Sequence, residues 1–255
     1  MVKWALILGS SSGFGEAVAI ELAGAGYNIY GVHLDRRETM GHVAEVQQKI
    51  RDAGRDAVFF NMNAADDEKR REVIGRIRDD SSEVGVLLHS LAFGALRPLV
   101  GSGEVASKRQ IEMTADIMGH SLVYWTQDLV SSGLMKSGGR IYAMTSEGGG
   151  KAVPEYGPVS AAKAILEAHI RQLALELAPF GITANAIMAG VTDTPALRKI
   201  PGNERLMAYA KARNPHHRLT TPADVARCIA VLCSEKTYWM TGNTLRVDGG
   251  EGSVA

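Results

Sequence analysis

Cysteine is nearly missing from this chain: two residues in 255, Cys228 and Cys233. Two thiols cannot build a disulfide framework, and a gap of five suits no zinc site, so they read as reduced core thiols of a cytoplasmic protein. Net charge is missing too, because 28 Lys+Arg offset 28 Asp+Glu. No basic excess points to nucleic acid or to an anionic membrane surface. No apolar run is long enough to span a bilayer. The apolar stretch 4–8 is too short for a signal-peptide core and runs directly into glycine and serine, so neither secretion nor membrane spanning is expected. Linkers, internal repeats and low-complexity tracts are lacking as well, and 1–255 reads as a single domain. Glycine is plentiful at 28 residues, which suits tight turns and close backbone approach to a ligand.

Short apolar runs alternate with longer amphipathic ones. Strands are expected at 4–8, 27–34, 57–61, 85–90, 140–145, 182–187 and 244–247. Helices are expected at 13–25, 38–53, 66–79, 114–131 and 156–179. Continuous apolar strands separated by helices predict an α/β fold, a doubly wound and mostly parallel seven-stranded sheet covered on both faces. The region 189–221, rich in Pro, Gly, Asn and His, is the least regular and reads as a substrate lid.

Gly9-Ser-Ser-Ser-Gly13-Phe-Gly15 stands where the first strand meets the first helix. Glycines there let a pyrophosphate approach the helix N-terminus, whose free N–H groups and dipole favour anions. A Ser/Gly turn that only caps a helix is the plainer reading. The strand-loop-helix context shifts the balance, as does Asp35, 20 residues after Gly15, where a carboxylate binds the adenine ribose. Asp35 would otherwise be a solvated loop acid beside Arg36 and Arg37. An Asp at this place favours NAD(H), and the two arginines leave NADP(H) open.

Five segments together carry a resemblance to the short-chain dehydrogenase/reductase superfamily over essentially the full length. They are Gly9–Gly15, His89-Ser-Leu-Ala-Phe93, Tyr156 with Lys163, Ala189-Gly190-x-x-x-Thr194, and Val247-Asp-Gly-Gly250. The likeness implies a Rossmann-type domain, a nicotinamide cofactor and a homotetramer. It carries cofactor contacts onto Gly9, Ser11, Gly13, Phe14, Gly15, Asp35, Asn63, Ser90, Leu91, Ala92, Lys163, Gly190 and Thr194. The chain departs from the usual pattern at Leu8, where Thr is common, and at Asn63, where Asp often meets adenine; an amide can still hydrogen-bond the base. Thr194 would touch the carboxamide or pyrophosphate, or simply cap the turn before Pro195.

Most of that superfamily carries Tyr one helical turn before Lys. Here Val159 occupies that turn, and Tyr156 precedes Lys163 by seven residues. Two turns keep both groups on one helix face, and Pro158 puts Tyr156 at the helix entrance. The Tyr-x6-Lys spacing, His-Ser-Leu-Ala-Phe and Ala-Gly-x-x-x-Thr resemble the enoyl-[acyl-carrier-protein] reductase branch. The resemblance implies reduction of the 2,3 double bond of an enoyl thioester, with Tyr156 and Lys163 catalytic and a carrier protein a possible partner. Lys163 would hold the nicotinamide ribose and lower the Tyr156 pKa; a lone Lys on a helix is otherwise a surface residue.

Ser146, 17 residues before Lys163, stands where carbonyl-reducing relatives carry a catalytic Ser. It reads as a substrate contact or as a strand-end cap. Phe93, Leu197 and Met207 are further substrate candidates; Met207, with Leu206 and Tyr209, would line an acyl channel or form the core face of a short helix. His216-His217 lacks paired metal-ligand spacing and reads as a solvated loop pair, so no metal is expected. Three functions compete: an enoyl thioester reductase, a 3-ketoacyl or alcohol dehydrogenase using Ser146, and a nucleotide-binding regulator without catalysis.

Overall fold

Residues 3–254 are described by a computed structural model. Seven strands form one sheet in the order β3-β2-β1-β4-β5-β6-β7: β1 Trp4–Leu8, β2 Asn28–His33, β3 Ala57–Asn61, β4 Val84–His89, β5 Arg140–Thr145, β6 Thr183–Ala189 and β7 Thr244–Val247. Every neighbouring pair is parallel, so the mostly parallel sheet expected from sequence is parallel throughout. β1 shows why its run is unbroken by polar residues. Leu6 and Leu8 enter one core, and Ala5 and Ile7 enter the other on the opposite face.

The first core is roofed by α3 Asp67–Asp79, α5 Ser121–Ser131 and α6 Gly157–Leu177, through Ile77, Trp125, Leu166 and Ile170. The second lies under α1 Gly13–Gly24, α2 Met40–Asp52 and α8 Pro222–Leu232, through Val18, Leu22, Ile50 and Ile229. Each such fully buried aliphatic side chain contributes about 1.5–3 kcal/mol. Trp125 buries its ring and still donates its indole N–H to the carbonyl of Ala64 at 2.8 Å.

Sequence boundaries shifted where capping, rather than periodicity, decides. The helix expected at 114–131 is preceded by α4 Lys108–Ala115, joined to α5 through a π-helical turn, Asp116–His120. Ser107 and Gln110 start α4 with a capping box that the apolar pattern does not reveal. The region 189–221 is less irregular than expected, since a short turn Leu197–Lys199 and α7 Asn203–Arg213 lie within it. The strand order reverses between β1 and β4, which opens a crevice beyond their carboxyl ends.

Candidate active site

The glycine loop closes over that crevice. Gly9 has φ +89°, and a side chain there would meet the Ser90 carbonyl at the end of β4. A side chain at Gly15 would run into the Gly9 carbonyl, so α1 can start only with glycine at this place. Ser12, at the N-cap of α1, makes no side-chain cap, which leaves the helix N–H groups for an anion. Thr194 brings its methyl group to 3.4 Å from where a Gly13 Cβ would stand. The loop 9–15, Ser90 and Thr194, far apart in sequence, therefore line one cleft.

Asp35 sits just past β2. Its carboxylate accepts the Thr39 hydroxyl at 2.8 Å and lies 3.0 Å from Nδ1 of buried His33. Burial alone would raise its pKa, but hydrogen bonds from Ser11, Thr39 and His33 hold it below the usual carboxylate value. Arg36 and Arg37 are exposed. Asn63 accepts the Ala65 N–H on its side-chain oxygen and keeps its amide N–H groups for a base edge. The Thr194 hydroxyl accepts the Leu197 N–H at 3.2 Å and so takes the capping alternative, while its methyl group faces the glycine loop.

Tyr156 occupies the N-cap position of α6, with Pro158 inside the first turn. Its ring packs with Val159, Met118 and Ile117 in an apolar cluster. Val159 is 4% exposed, so the place one turn before Lys163 is core and offers no hydroxyl. Lys163 is 5% exposed, which rules out a surface lysine, and donates to the Met144 carbonyl at 2.7 Å. Burial pulls its pKa down to about 8, against the pull of the Glu167 carboxylate. Behind it, His89 is fully buried with its Nε2 at 2.9 Å from the Ser121 hydroxyl; burial, then Lys163, lowers its pKa to about 3 and keeps it neutral.

One expectation is corrected here. Tyr156 is not acidified by Lys163; burial raises its pKa, and only the Ser146 hydroxyl works against that. Ser146 Oγ and Tyr156 Oη face each other at 3.4 Å, a long contact for two hydroxyls. Ser146 makes no side-chain cap on the turn that follows it, against the strand-end-cap alternative.

The sequence reading missed three features. Glu167 lies one turn beyond Lys163 and accepts the Thr145 hydroxyl at 2.6 Å; the Lys163/Glu167 spacing of four was its signal. Gly148 lies against Tyr156, where a side chain would strike the ring, and the Gly148-Gly149-Gly150 run announced that approach. Glu147 and Arg213 pair at 3.1 Å across 66 residues, with no local signal. The substrate candidates are dispersed. Phe93 is 53% exposed; of the expected cofactor contacts beside it, Leu91 is half-buried and Ala92 exposed. Leu197 and Met207 lie half-buried on separate turns outside the Tyr156 cluster.

A family model described as enoyl-(acyl carrier protein) reductase matches residues 9–251. The chain belongs to this family. It is 31% identical over 240 residues to an enoyl-[acyl-carrier-protein] reductase [NADH] of Nostoc sp., covering 94% of this chain and 91% of that one. It is 30% identical over 195 residues to an enoyl-[acyl-carrier-protein] reductase [NADPH] of Staphylococcus aureus, covering 76% and 75%. A 1-cyclohexenylcarbonyl-CoA reductase of Streptomyces collinus is 29% identical over 254 residues, covering 98% and 87%. Among solved structures, the enoyl-[acyl-carrier-protein] reductase (NADH) of Aquifex aeolicus superposes with a TM-score of 0.86 at 26% identity, covering 98% and 96%.

Proposed function

We propose that the protein is a nicotinamide-dependent oxidoreductase that reduces the 2,3 double bond of an enoyl thioester. The observation that carries this reading is the pairing on α6 of a helix-entrance phenol, Tyr156, with a buried Lys163 two turns on, while Val159 fills the intervening turn with hydrocarbon. When bound, a nicotinamide dinucleotide supplies hydride to the substrate β-carbon. Negative charge then moves to the thioester oxygen and needs a donor placed there in advance, until a proton from solvent is taken up at the α-carbon and the saturated thioester forms. The Tyr156 hydroxyl is that donor. Its raised pKa keeps it protonated at neutral pH, so it stabilises the charge by donating a hydrogen bond rather than by starting as phenolate.

Lys163 spends one N–H on Met144 and has two left for ribose hydroxyls. The uncapped end of α1 and the glycine loop fit a pyrophosphate, and Asp35 fits the adenine ribose, with NADH preferred. The cleft would be covered by the region 189–221, in which Leu197 to Arg213 presents apolar and basic residues to an acyl chain and to an acidic carrier. Assembly as a homotetramer is part of the proposal; Leu175, Phe180, Val231 and Trp239 are apolar and exposed on one chain. Light scattering tests it, and a stable monomer at micromolar concentration would count against it.

A second reading is favoured by one observation, the Ser146 hydroxyl facing Tyr156. A Ser–Tyr pair suits carbonyl reduction, as in a 3-ketoacyl dehydrogenase. Nicotinamide absorbance followed with a crotonyl thioester, a 3-ketoacyl thioester, and neither separates the two. Oxidation of NADH with crotonyl thioester alone is the expected result. Turnover of only the ketoacyl thioester would replace the proposal, and turnover of neither would favour a nucleotide-binding regulator.

A further inference from the structure

Beside Ser146, charges from four segments of the chain converge. Glu147 accepts Arg213 on one carboxylate oxygen at 3.1 Å, and Lys151 and Arg246 on the other at 3.1 and 3.3 Å. Arg213 is the last residue of α7, and its guanidinium stands over the Tyr209 ring, 5.6 Å from the centroid. It also lies 3.8 Å from the Glu251 carboxylate, itself 3% exposed and bonded to the Val191 N–H, next to Gly190. Arg246 reaches Asp248 at 3.6 Å. The cluster thus joins the loop bearing Ser146, the end of α7, the edge strand β7 and the segment running to Thr194.

The members are not equivalent. Lys151 is half exposed, and a solvated pair of that kind holds little. The Arg213 side chain is 12% exposed, and its Nε is buried without a partner. A largely buried ion pair with an unpaired N–H is a poor stabiliser but a good constraint on geometry. Among the described residues, it is the hydrogen bond that ties α7 to the loop holding Ser146 opposite Tyr156.

We infer that Arg213 is a positioning residue: by clamping Glu147 it latches α7 onto the 146–150 loop, whose Gly148 lies against the Tyr156 ring, and so holds the Tyr156 phenol in place. This rests on the reading of the Tyr156 hydroxyl as the donor at the reacting end of the site. The test compares Arg213→Gln, Arg213→Lys, Glu147→Gln and the Arg213→Gln, Glu147→Gln double variant. Each is assayed for KM and kcat with crotonyl thioester, for NADH affinity by fluorescence, and for tryptic cleavage at exposed Arg205 and Lys211. Arg213→Gln should raise KM about tenfold, with NADH affinity changed by less than about twofold, and should speed cleavage. Arg213→Lys should recover part of the loss, and the double variant should be no worse than either single one, because both break the same tie.

Unchanged KM and cleavage in Arg213→Gln, a strictly additive double variant, or NADH affinity lost in step with KM would each overturn the inference. Should Arg213→Gln fail to fold, Glu147→Gln carries the same readouts. If the unaltered protein does not reduce the enoyl thioester, cleavage still decides. Faster cleavage in Arg213→Gln keeps the latch while the enoyl reading falls, and unchanged cleavage removes the latch itself.

Discussion

The two halves of the cleft are built by different means. On the nucleotide side, glycines let the chain pack closely on itself: Gly9 against the Ser90 carbonyl, Gly15 against the Gly9 carbonyl, and Gly13 against the Thr194 side chain. On the substrate side, side chains hold the parts together: Tyr156 within an apolar cluster, Ser146 facing it, and Glu147 pinned by Arg213. Backbone approach demands glycine at fixed places and leaves a mark in the sequence. Side-chain ties between distant segments can be made by many residue pairs and leave none. The first half serves a ligand common to many enzymes, and the second is where one enzyme of this fold departs from another.

The largest expected effect tests whether the substrate half holds the chemistry. Tyr156→Phe keeps the ring in its cluster and removes only the hydroxyl. Loss of one preorganised donor typically costs about 10²–10³ in kcat. Cofactor affinity, measured by fluorescence, should survive, because nothing in the glycine loop changes. Retained turnover would mean that another group protects the developing charge.

Next comes Lys163, which belongs to both halves. Burial depresses its ammonium to about 8 from an ordinary 10.5. Below pH 8 the folded protein bears the cost of a buried charge; between 8 and 10.5 that cost is relieved, because the unfolded chain binds more protons there than the folded one. The ligand-free protein should therefore gain stability from this residue as pH rises through that window. Cofactor affinity should move the other way, since ribose hydroxyls need the ammonium N–H groups. If only the charged form binds, NADH affinity falls about tenfold from pH 7 to 9. Titration calorimetry across this range, repeated on Lys163→Ala, checks it; the variant should bind weakly and lose the dependence.

The contrast explains what sequence could show. The parallel sheet was legible because strands such as Trp4–Leu8 must be apolar on both faces, and Gly9 to Gly15 because nothing else fits. Tyr156 and Lys163 stood out through the family resemblance, and their helical spacing put both on one face of α6. The start of α4 was missed because it depends on a capping box and not on periodicity. The acidity of Tyr156 was misjudged because spacing gives neighbours but not burial, and burial is the larger influence. Arg213 was invisible because its partner lies 66 residues away.

A smaller effect probes the nucleotide half at Asp35, where that side relies on a side chain. Its carboxylate is already held by Thr39 and lies against His33, so the proposed ribose acceptor is fixed in place. Asp35→Ala should weaken NADH about five- to tenfold and improve NADPH, because a carboxylate repels a 2′-phosphate while Arg36 and Arg37 remain to attract it. Ratios of kcat/KM for the two cofactors measure this. A variant that still prefers NADH by the original margin would place the discrimination elsewhere.

The smallest expected effect is the sharpest about chemistry. Ser146 and Tyr156 are 3.4 Å apart, a long and weak contact between two hydroxyls. In the proposed enoyl reduction the hydride goes to the β-carbon, the developing charge lies on the thioester oxygen assigned to Tyr156, and the final proton is taken up at the α-carbon. Ser146→Ala should then lower kcat on an enoyl thioester by no more than about two- to threefold, well short of the loss of an oxyanion donor. In carbonyl reduction the oxygen becomes an alcohol and must receive a proton, and a second hydroxyl beside the phenol would orient it. The same variant should then be crippled on a 3-ketoacyl thioester. Running both substrates on Ser146→Ala and Tyr156→Phe gives four numbers. A loss for Ser146→Ala on the enoyl substrate equal to that for Tyr156→Phe would make the two hydroxyls one catalytic unit and end the assignment of the donor to Tyr156 alone.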